Sequence, residues 1–335
     1  MPTGIIGIIA NPASGKDIRR LVAHAPVVTD AEKRAILRRF LVGAARGGAR
    51  AIHYLPGPHR LVEEALAGLD LPLEAVPLPV DLTGSALDTR AAAALLRERE
   101  AAVVLVLGGD GTCRAAAAGW LDLPILPLST GTNNVFPRVH EPTLAGLAAG
   151  LLAAGRLPLE HAVVPAPYVA VEIDGEPPDL ALVDVALVDE PFPGARAVRD
   201  PASLRRLLVL RSDPAVTGLA AIPGAMGLAL GSDAALELEF GRPGIEVLAP
   251  LAPGRFETVC VSSSRLVPLG QDPAWSGPGI LALDGERERR LLPGQQARPV
   301  PLPGGPLVID PRRVLTCAAR AGLFRIPPNG APDAD

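Results

Sequence analysis

The segment that most constrains this chain is 103–112, where an unbroken apolar run leads directly into a glycine-rich loop. Val103 to Leu107 are five apolar, mostly β-branched residues, and Gly-Gly-Asp-Gly-Thr follows at 108–112. A short run of this kind is typical of a strand buried on both faces, and such strands belong to parallel sheets covered by helices. An Ala-rich helical stretch begins at about residue 113. The segment therefore predicts the central strand of an α/β sheet.

The glycine loop predicts a phosphate site. We expect its glycines to adopt positive φ angles without a steric penalty, so that successive N–H groups face a shared concave site where the helix begins. Asp110 would lie inside this site and act on a hydroxyl or on a phosphate-bound metal. Asp-Gly is also a common turn pair, but a turn needs only one or two of the five residues. The order strand, glycine loop, helix favours phosphate binding.

A first buried strand is predicted at residues 4–10, and the polar loop Asn-Pro-Ala-Ser-Gly-Lys-Asp follows it at 11–17. The Gly-Lys pair resembles a P-loop, but Ala10 stands where that motif has its first glycine, and Asp17 replaces the metal-binding Ser or Thr. A Walker-type site is therefore not predicted. Polar loops at the carboxyl ends of parallel strands still lie where ligands bind, although a simple loop is the alternative. The candidate phosphate or ribose contacts are Asn11, Ser14 and Lys16.

Strands and helices alternate through the first half of the chain, which predicts a doubly wound, largely parallel sheet. Further strands are predicted at 50–55, 73–80 and 123–128, and helices at 29–46, 59–67, 86–100, 113–119 and 142–154.

The helix that begins near Thr29 shows a capping box, Thr-Asp-Ala-Glu, and ends at a glycine pair. Its apolar residues share one face, and Lys33 and three arginines are predicted to lie largely off that face. A solvated surface is the favoured interpretation, and contact with an anionic membrane is the alternative.

A second polar loop, Ser-Thr-Gly-Thr-Asn-Asn-Val-Phe-Pro, follows the strand at 123–128. Two adjacent strands with such loops at their carboxyl ends would form a shared crevice. Hydroxyl and amide groups there can bind ribose or phosphate oxygens, whereas a loop that only stabilises itself is the alternative. The candidates are Thr130, Gly131, Thr132, Asn133 and Asn134.

From about residue 163 the pattern changes to short apolar or alternating runs separated by Pro, Gly and Asp, with hairpin-type turns at Asp174-Gly175 and Asp284-Gly285. We predict an α/β nucleotide-binding domain at 1–158 and an all-β, sandwich-like domain at 159–304. Residues 305–326 are predicted to return to the first domain. A ligand cleft is expected between the two domains.

Composition excludes several classes of function. The net charge is −4 and aromatic residues make up 3% of the chain, so neither a basic stripe nor a stacking platform for nucleic acid is expected. Three distant cysteines and five scattered histidines indicate neither a disulfide framework nor a metal site. No signal peptide or membrane-spanning run is found, so we expect a cytoplasmic protein without stable membrane insertion.

With these loops identified, the chain resembles the superfamily of NAD kinases, diacylglycerol and sphingosine kinases and 6-phosphofructokinases. Gly-Gly-Asp-Gly-Thr at 108–112 is the shared phosphate-binding motif of that superfamily. The loop at 11–16 is similar to the first loop of its NAD-kinase and lipid-kinase branches, and 129–134 to the second loop of the lipid kinases. Nearly the whole chain, including 194–198 and 281–287, resembles the ATP-NAD-kinase-like family of the acetoin-catabolism protein X type.

The resemblance implies ATP-dependent phosphoryl transfer, with Mg²⁺ held mainly by nucleotide phosphates and NAD as a possible acceptor. Asp110 would be the catalytic group that orients or deprotonates the attacking hydroxyl, because phosphoryl transfer depends on placement and charge neutralisation. NAD kinases often form dimers or tetramers, so a homo-oligomer is a possible assembly. The nucleotide-binding residues implied in the glycine loop are Gly108, Gly109, Gly111 and Thr112.

The chain also departs from the NAD-kinase pattern. The Asn-Glu pair of those enzymes is matched to 186–189, where only Asp189 keeps a carboxylate. Their Thr-Gly-Ser-Thr-Ala-Tyr loop is matched to 217–222, where Thr217 remains but two hydroxyls and the Tyr are lost. Such losses weaken recognition of a dinucleotide. Glu286 matches an acid in the Asp-Gly-Glu stretch of lipid kinases, with a charged hairpin tip as the alternative.

Three hypotheses follow. The first is a small-molecule kinase that uses ATP and phosphorylates NAD or a related nucleotide or metabolite. The second is an accessory or regulatory protein that binds nucleotide but has weakened catalysis. The third is a lipid kinase, which the acidic charge and the lack of a membrane-binding stretch disfavour.

Overall fold

The computed structural model describes residues 3–15, 27–131, 134–189 and 201–325. Three of the predicted site residues, Lys16, Thr132 and Asn133, lie outside this part. In chain order the elements are β1 (Ile5–Ala10), α1 (Asp30–Gly47), β2 (Ala51–Tyr54), α2 (Leu61–Leu66), β3 (Glu74–Pro77), α3 (Ala86–Glu98), β4 (Val103–Gly108), α4 (Asp110–Gly119), β5 (Pro124–Ser129), α5 (Pro142–Ala153), β6 (Val163–Pro165), β7 (Tyr168–Ile173), β8 (Asp179–Ala181), β9 (Asp184–Val188), β10 (Leu204–Val209), α6 (Ala221–Ala225), β11 (Ala234–Ala252), β12 (Arg255–Pro268), β13 (Trp275–Ser276), β14 (Gly279–Leu283), β15 (Glu286–Leu291), β16 (Gln296–Leu302), β17 (Leu307–Ile309) and α7 (Pro311–Arg320).

The first sheet has seven strands in the order β3-β2-β1-β4-β5-β17-β6. All neighbours are parallel except β6, which is antiparallel to β17. All six residues of β4 are buried, as its apolar sequence predicts. The chain runs outward from β1 to β3 and then returns to β4, so the order reverses between β1 and β4. In an open parallel sheet, ligands bind at the carboxyl ends of the strands beside such a reversal.

Glycines set the spacing between α1 and α5 on one face of this sheet. Gly43 and Gly47 of α1 lie against α5, and a Cβ at Gly43 would be 2.1 Å from the Thr143 carbonyl oxygen. On α5, a Cβ at Gly146 would be 2.0 Å from the Phe40 carbonyl oxygen. The two backbones are therefore in direct contact, and no side chain fits between them.

The start of α1 confirms one prediction and corrects another. Thr29 caps the helix, and the Glu32 carboxylate accepts a hydrogen bond from the Thr29 N–H, so the capping box is present. Lys33, predicted to lie largely off the buried face, is 0% exposed. Its aliphatic stem crosses the interior, because its ammonium group binds backbone carbonyls of the loop after β1.

The second part of the chain contains two antiparallel sheets, β12-β11-β10-β9-β14-β15 and β13-β16-β7-β8. Apolar side chains from both sheets, including Trp275, Val171 and Leu208, form one buried cluster between them. The predicted fold class is therefore confirmed. The segment 305–325 also contributes to the first sheet, since β17 pairs with β5.

The nearly continuous apolar run at 180–188 divides between two strands, β8 and β9, which lie in different sheets. The buried carboxylate of Asp284 accepts hydrogen bonds from the N–H groups of Leu182, Val183 and Asp184, at 2.8–3.2 Å. These N–H groups bind a side chain instead of a neighbouring strand, so the chain can cross from one sheet to the other.

Candidate functional site

Three loops meet at the carboxyl ends of β1, β4 and β5, and side chains of the first loop bind the other two. The amide of Asn11 donates a hydrogen bond to the Thr112 hydroxyl at 2.9 Å. The Ser14 hydroxyl lies 2.8 Å from that of Thr130. The N–H of Thr130 donates to the Gly108 carbonyl at 3.0 Å. The structure therefore brings together predicted residues from all three loops.

In the second loop the Asn134 side chain packs closely against two glycines. The Asn134 amide donates to the Ser129 hydroxyl at 2.6 Å. Its side-chain oxygen lies where a Cβ would project from the neighbouring glycines, 2.2 Å away for Gly131 and 2.9 Å away for Gly109. Both glycines therefore make room for the Asn134 side chain.

The expectation of positive φ angles in the glycine loop is wrong. Gly108, Gly109 and Gly111 do not lie in the left-handed region, and Gly109 is extended with φ −110°. These glycines instead allow neighbouring side chains to approach the backbone closely. A Cβ at Gly108 would be 2.6 Å from Thr112, and one at Gly111 would be 3.1 Å from the Glu286 carboxylate.

Asp110 is the first residue of α4 and is 8% exposed. Its carboxylate accepts hydrogen bonds from the N–H groups of Phe136, at 2.8 Å, and Val135, at 3.1 Å. Burial, and next the negative charge of Asp284, raise the pKa of Asp110 to about 7, while the two N–H donors and Arg211 act against that shift. A carboxyl group with this pKa exchanges a proton near neutral pH.

A cluster of acids and one arginine joins the two parts of the chain beside α4. Arg114 of α4 lies 3.6 Å from Asp179, 3.9 Å from Asp284 and 3.8 Å from Glu286. Burial raises the pKa of Asp284, and Arg114 opposes that shift. Glu286, predicted from the lipid-kinase motif, thus lies beside the glycine loop and not only at a hairpin tip.

A second arginine lies on the same side. The guanidinium of Arg211 stacks over the Phe136 ring at 4.8 Å from its centroid. Burial lowers the pKa of Arg211, and the negative charge of Asp110 opposes this shift. The neighbourhood of Asp110 therefore combines buried carboxylates with two cations.

Asp189 and the acid cluster lie at opposite ends of β9. The Asp284 N–H donates to the Asp184 carbonyl, so the amino end of β9 lies at the acid cluster. Asp189 follows the other end of this five-residue strand, about 16 Å along it. Asp184, which is 4% exposed, is the acid of this segment near the site, and sequence reasoning missed it. An acid inside an apolar run, Val-Asp-Val, was the available signal.

Thr217 is half-buried near the boundary of the two parts. Val216 packs against the apolar cluster that contains Phe136 and Cys113. The Gly218 N–H donates to the Pro250 carbonyl at 2.9 Å, which fixes the other side of Thr217.

Two adjacent cavities lie on the α1 and α5 side of the sheet. A cavity of about 340 Å³ opens beside the second loop, lined by Ser129, Leu128, Leu107, Arg39 and others. A groove of about 720 Å³ between α5 and α7 shares two of its lining residues, His140 and Glu141.

Within the described ranges, no helix is both long and apolar enough to span a bilayer. In that same part of the chain, no three His, Cys, Asp or Glu side chains are grouped as ligands for a metal ion.

Comparison with known proteins agrees with this architecture. Residues 6–157 match the ATP-NAD kinase N-terminal domain, and 167–300 match the acetoin catabolism protein X C-terminal domain. The acetoin catabolism protein X of Cupriavidus necator is 36% identical over 308 residues, covering 87% of this chain and 86% of that protein. The structure of yeast NADH kinase complexed with NADH superposes with a TM-score of 0.52 at 12% sequence identity. The match covers 100% of this chain and 91% of the yeast chain, so the two share a fold. The chain therefore belongs to the ATP-NAD-kinase-like family of the acetoin catabolism protein X type.

Proposed function

We propose that this protein is an ATP-dependent kinase that phosphorylates a hydroxyl group of NAD or of a related nucleotide or metabolite. The observation that carries the proposal is the convergence of three polar loops at the carboxyl ends of adjacent parallel strands, with Asp110 at the start of the helix that follows the middle one.

The chemistry of the loops fits a nucleotide's phosphates and ribose. Their hydroxyl, amide and backbone N–H groups donate hydrogen bonds without adding negative charge, which suits the anionic oxygens of a phosphoryl group. Mg²⁺, when bound with the nucleotide, would neutralise charge on the phosphates. The proposed contacts among the described residues are Asn11, Ser14, Gly108, Gly109, Gly111, Thr112, Thr130, Gly131 and Asn134.

Asp110 is the proposed general base. At neutral pH about half of a carboxyl population with a pKa near 7 is ionised, so it can accept the proton of an attacking hydroxyl. Glu286, 3.1 Å from where a Gly111 side chain would begin, is positioned to contact the acceptor. Asp184 lies at the amino end of β9, where its carbonyl accepts a hydrogen bond from the Asp284 N–H.

The test is incubation with labelled ATP, Mg²⁺ and a panel of NAD, NADH, sugars and lipids, followed by a search for a phosphorylated product. We expect a nucleotide product, and we expect Asp110→Asn to lose turnover by a factor of roughly 10²–10⁴ with ATP affinity roughly kept. The control is Asp122→Asn, because Asp122 is exposed and precedes the amino end of β5. No product with any acceptor, or an unaffected Asp110 variant, would contradict the proposal.

A specific observation favours a second candidate, a nucleotide-binding accessory protein with weakened catalysis. The Asp110 carboxylate is nearly buried and already binds two backbone N–H groups, so part of its hydrogen-bonding capacity serves the second loop. Binding of ATP by calorimetry without turnover on any acceptor would identify this function.

A further inference from the structure

Lys33 is a fully buried lysine beneath the first of the three loops. It is the fourth residue of α1 and is 0% exposed. Its ammonium nitrogen lies 2.7 Å from the Pro12 carbonyl oxygen and 2.7 Å from that of Ser14. One cation therefore holds two carbonyls of the loop from below.

Burial of a cation here is unfavourable by itself. An ammonium group loses hydration on burial, and a long, flexible side chain loses rotamer entropy. The first turn of a helix also carries the positive end of the backbone dipole, which repels a further positive charge. The two carbonyl contacts of the ammonium group offset part of this cost.

The hydrogen bonds of Lys33 orient the loop. In a trans peptide the C=O and the following N–H point in opposite directions. Because the Ser14 carbonyl points down to the ammonium group, the Gly15 N–H points away from it. Ser14 also contacts Thr130 of the second loop through its hydroxyl, at 2.8 Å. The charge of Lys33 thus lies under the junction of the first and second loops.

We propose that Lys33 is a positioning residue that makes the first loop a receptor for a phosphate group. It turns the Pro12 and Ser14 carbonyls inward, so that the Gly15 N–H points the other way, and it adds a positive potential to a site that also carries the buried acid Asp110. The ligand class is the phosphate of a nucleotide, and the inference rests on the proposed function.

The test compares Lys33→Met and Lys33→Gln with Arg34→Met, which removes the same charge from the neighbouring, partly exposed position of α1. Affinities for ATP, inorganic pyrophosphate and adenosine are measured by calorimetry or ligand-observed NMR at low and high NaCl. We expect both Lys33 variants to bind ATP and pyrophosphate roughly tenfold more weakly, with a smaller salt dependence, and adenosine nearly unchanged. Arg34→Met is expected to resemble the wild type.

The outcomes separate this inference from the proposed function. A wild type that binds neither ATP nor pyrophosphate would end the proposed function and this inference with it. A wild type that binds both, with Lys33 variants that bind equally well, would remove the inference alone. Equal weakening toward adenosine, or failure of both Lys33 variants to fold, would assign Lys33 to loop structure only and overturn the proposal.

Discussion

At the residue scale, buried charge distinguishes the candidate site from the rest of the sheet edge. Burial raises the pKa of both Asp110 and Asp284, and the charge of Asp284 adds to the shift at Asp110, while Arg211 and Arg114 oppose these shifts at Asp110 and Asp284 respectively. Lys33 supplies a further cation beneath the first loop. Buried charged side chains reduce stability unless they are paired. We therefore expect them at sites where they bind a ligand or transfer a proton.

The raised pKa of Asp110 predicts a pH-dependent effect of Asp110→Asn on stability. Between about pH 4 and 7 the folded state holds a proton on Asp110 that the unfolded state has released, so this group lowers the free energy of unfolding as pH rises. The asparagine does not titrate. The change in unfolding free energy caused by Asp110→Asn should therefore be more favourable at pH 8 than at pH 4, by about 2–4 kcal/mol.

Denaturant unfolding at both pH values measures this difference. Asp122→Asn, at an exposed position, should show little change between them. An Asp110→Asn variant whose effect is the same at pH 4 and pH 8 would show that Asp110 has an ordinary pKa.

We predict that replacing Arg114 lowers the stability of the protein substantially, because a buried carboxylate loses its cation. Arg114→Met removes the cation that lies beside Asp179, Asp284 and Glu286, although Asp179 keeps Arg289 at 3.2 Å. We expect a loss of about 2–4 kcal/mol in unfolding free energy, most of it from buried Asp284. The control is Arg39→Met, which breaks an ion pair with Glu141 whose side chains are 52% and 45% exposed, and which should cost less than about 1 kcal/mol. Equal effects of the two variants would contradict the importance of the buried cluster.

At the element scale, glycines determine how closely helices and loops approach one another. α1 contacts α5 through Gly43, Gly47, Gly146 and Gly150, and the first loop contacts the second at Gly15. The sequence predicted these elements well, because apolar periodicity and the capping box depend on nearby residues. It could not predict the contacts, because they join residues far apart in the chain.

At Gly146 we predict that the usual preference of a helix for alanine over glycine is reversed. Alanine normally stabilises a helix interior relative to glycine by about 0.5–1 kcal/mol. Here the new Cβ would lie 2.0 Å from the Phe40 carbonyl oxygen, so we expect a net destabilisation of about 1–3 kcal/mol in urea unfolding. Ala35→Gly on the exposed face of α1 should show the ordinary preference for alanine. A stabilised Gly146→Ala protein would mean that the helices can separate freely.

Gly15→Ala tests the contact between the first and second loops. Gly15 has φ +70°, and an added Cβ would lie 2.6 Å from the Thr130 carbonyl oxygen. Gly84 has nearly the same φ, +72°, with no atom within 4 Å of its Cβ position. Both variants carry the φ strain of about 1 kcal/mol, and Gly15→Ala should cost about 1–3 kcal/mol more by thermal or denaturant unfolding. Identical costs would show that the two loops are not in tight contact.

At the scale of the whole molecule, the chain combines a doubly wound α/β sheet with a β-sandwich, and the charged cluster around Arg114 lies where they meet. The fold class was predictable, because strand-loop-helix alternation and hairpin signals are strong along the chain. The site was predictable in part. The three loops were identified from their own residues, whereas Asp184 and Lys33 were not, because their burial arises from contacts with segments distant in sequence. The predicted role of Asp189 came from a motif match and stays a prediction; Asp189 directly follows β9.

The most direct test of the account is a crystal structure of the protein with ATP and Mg²⁺. We predict that the phosphates lie against the first loop at Ser14 and Gly15, the glycine loop at 108–112 and the second loop at 129–131, with Asp110 facing the remaining space beside them. Phosphates bound instead in the groove between α5 and α7, with these three loops free of ligand, would contradict it.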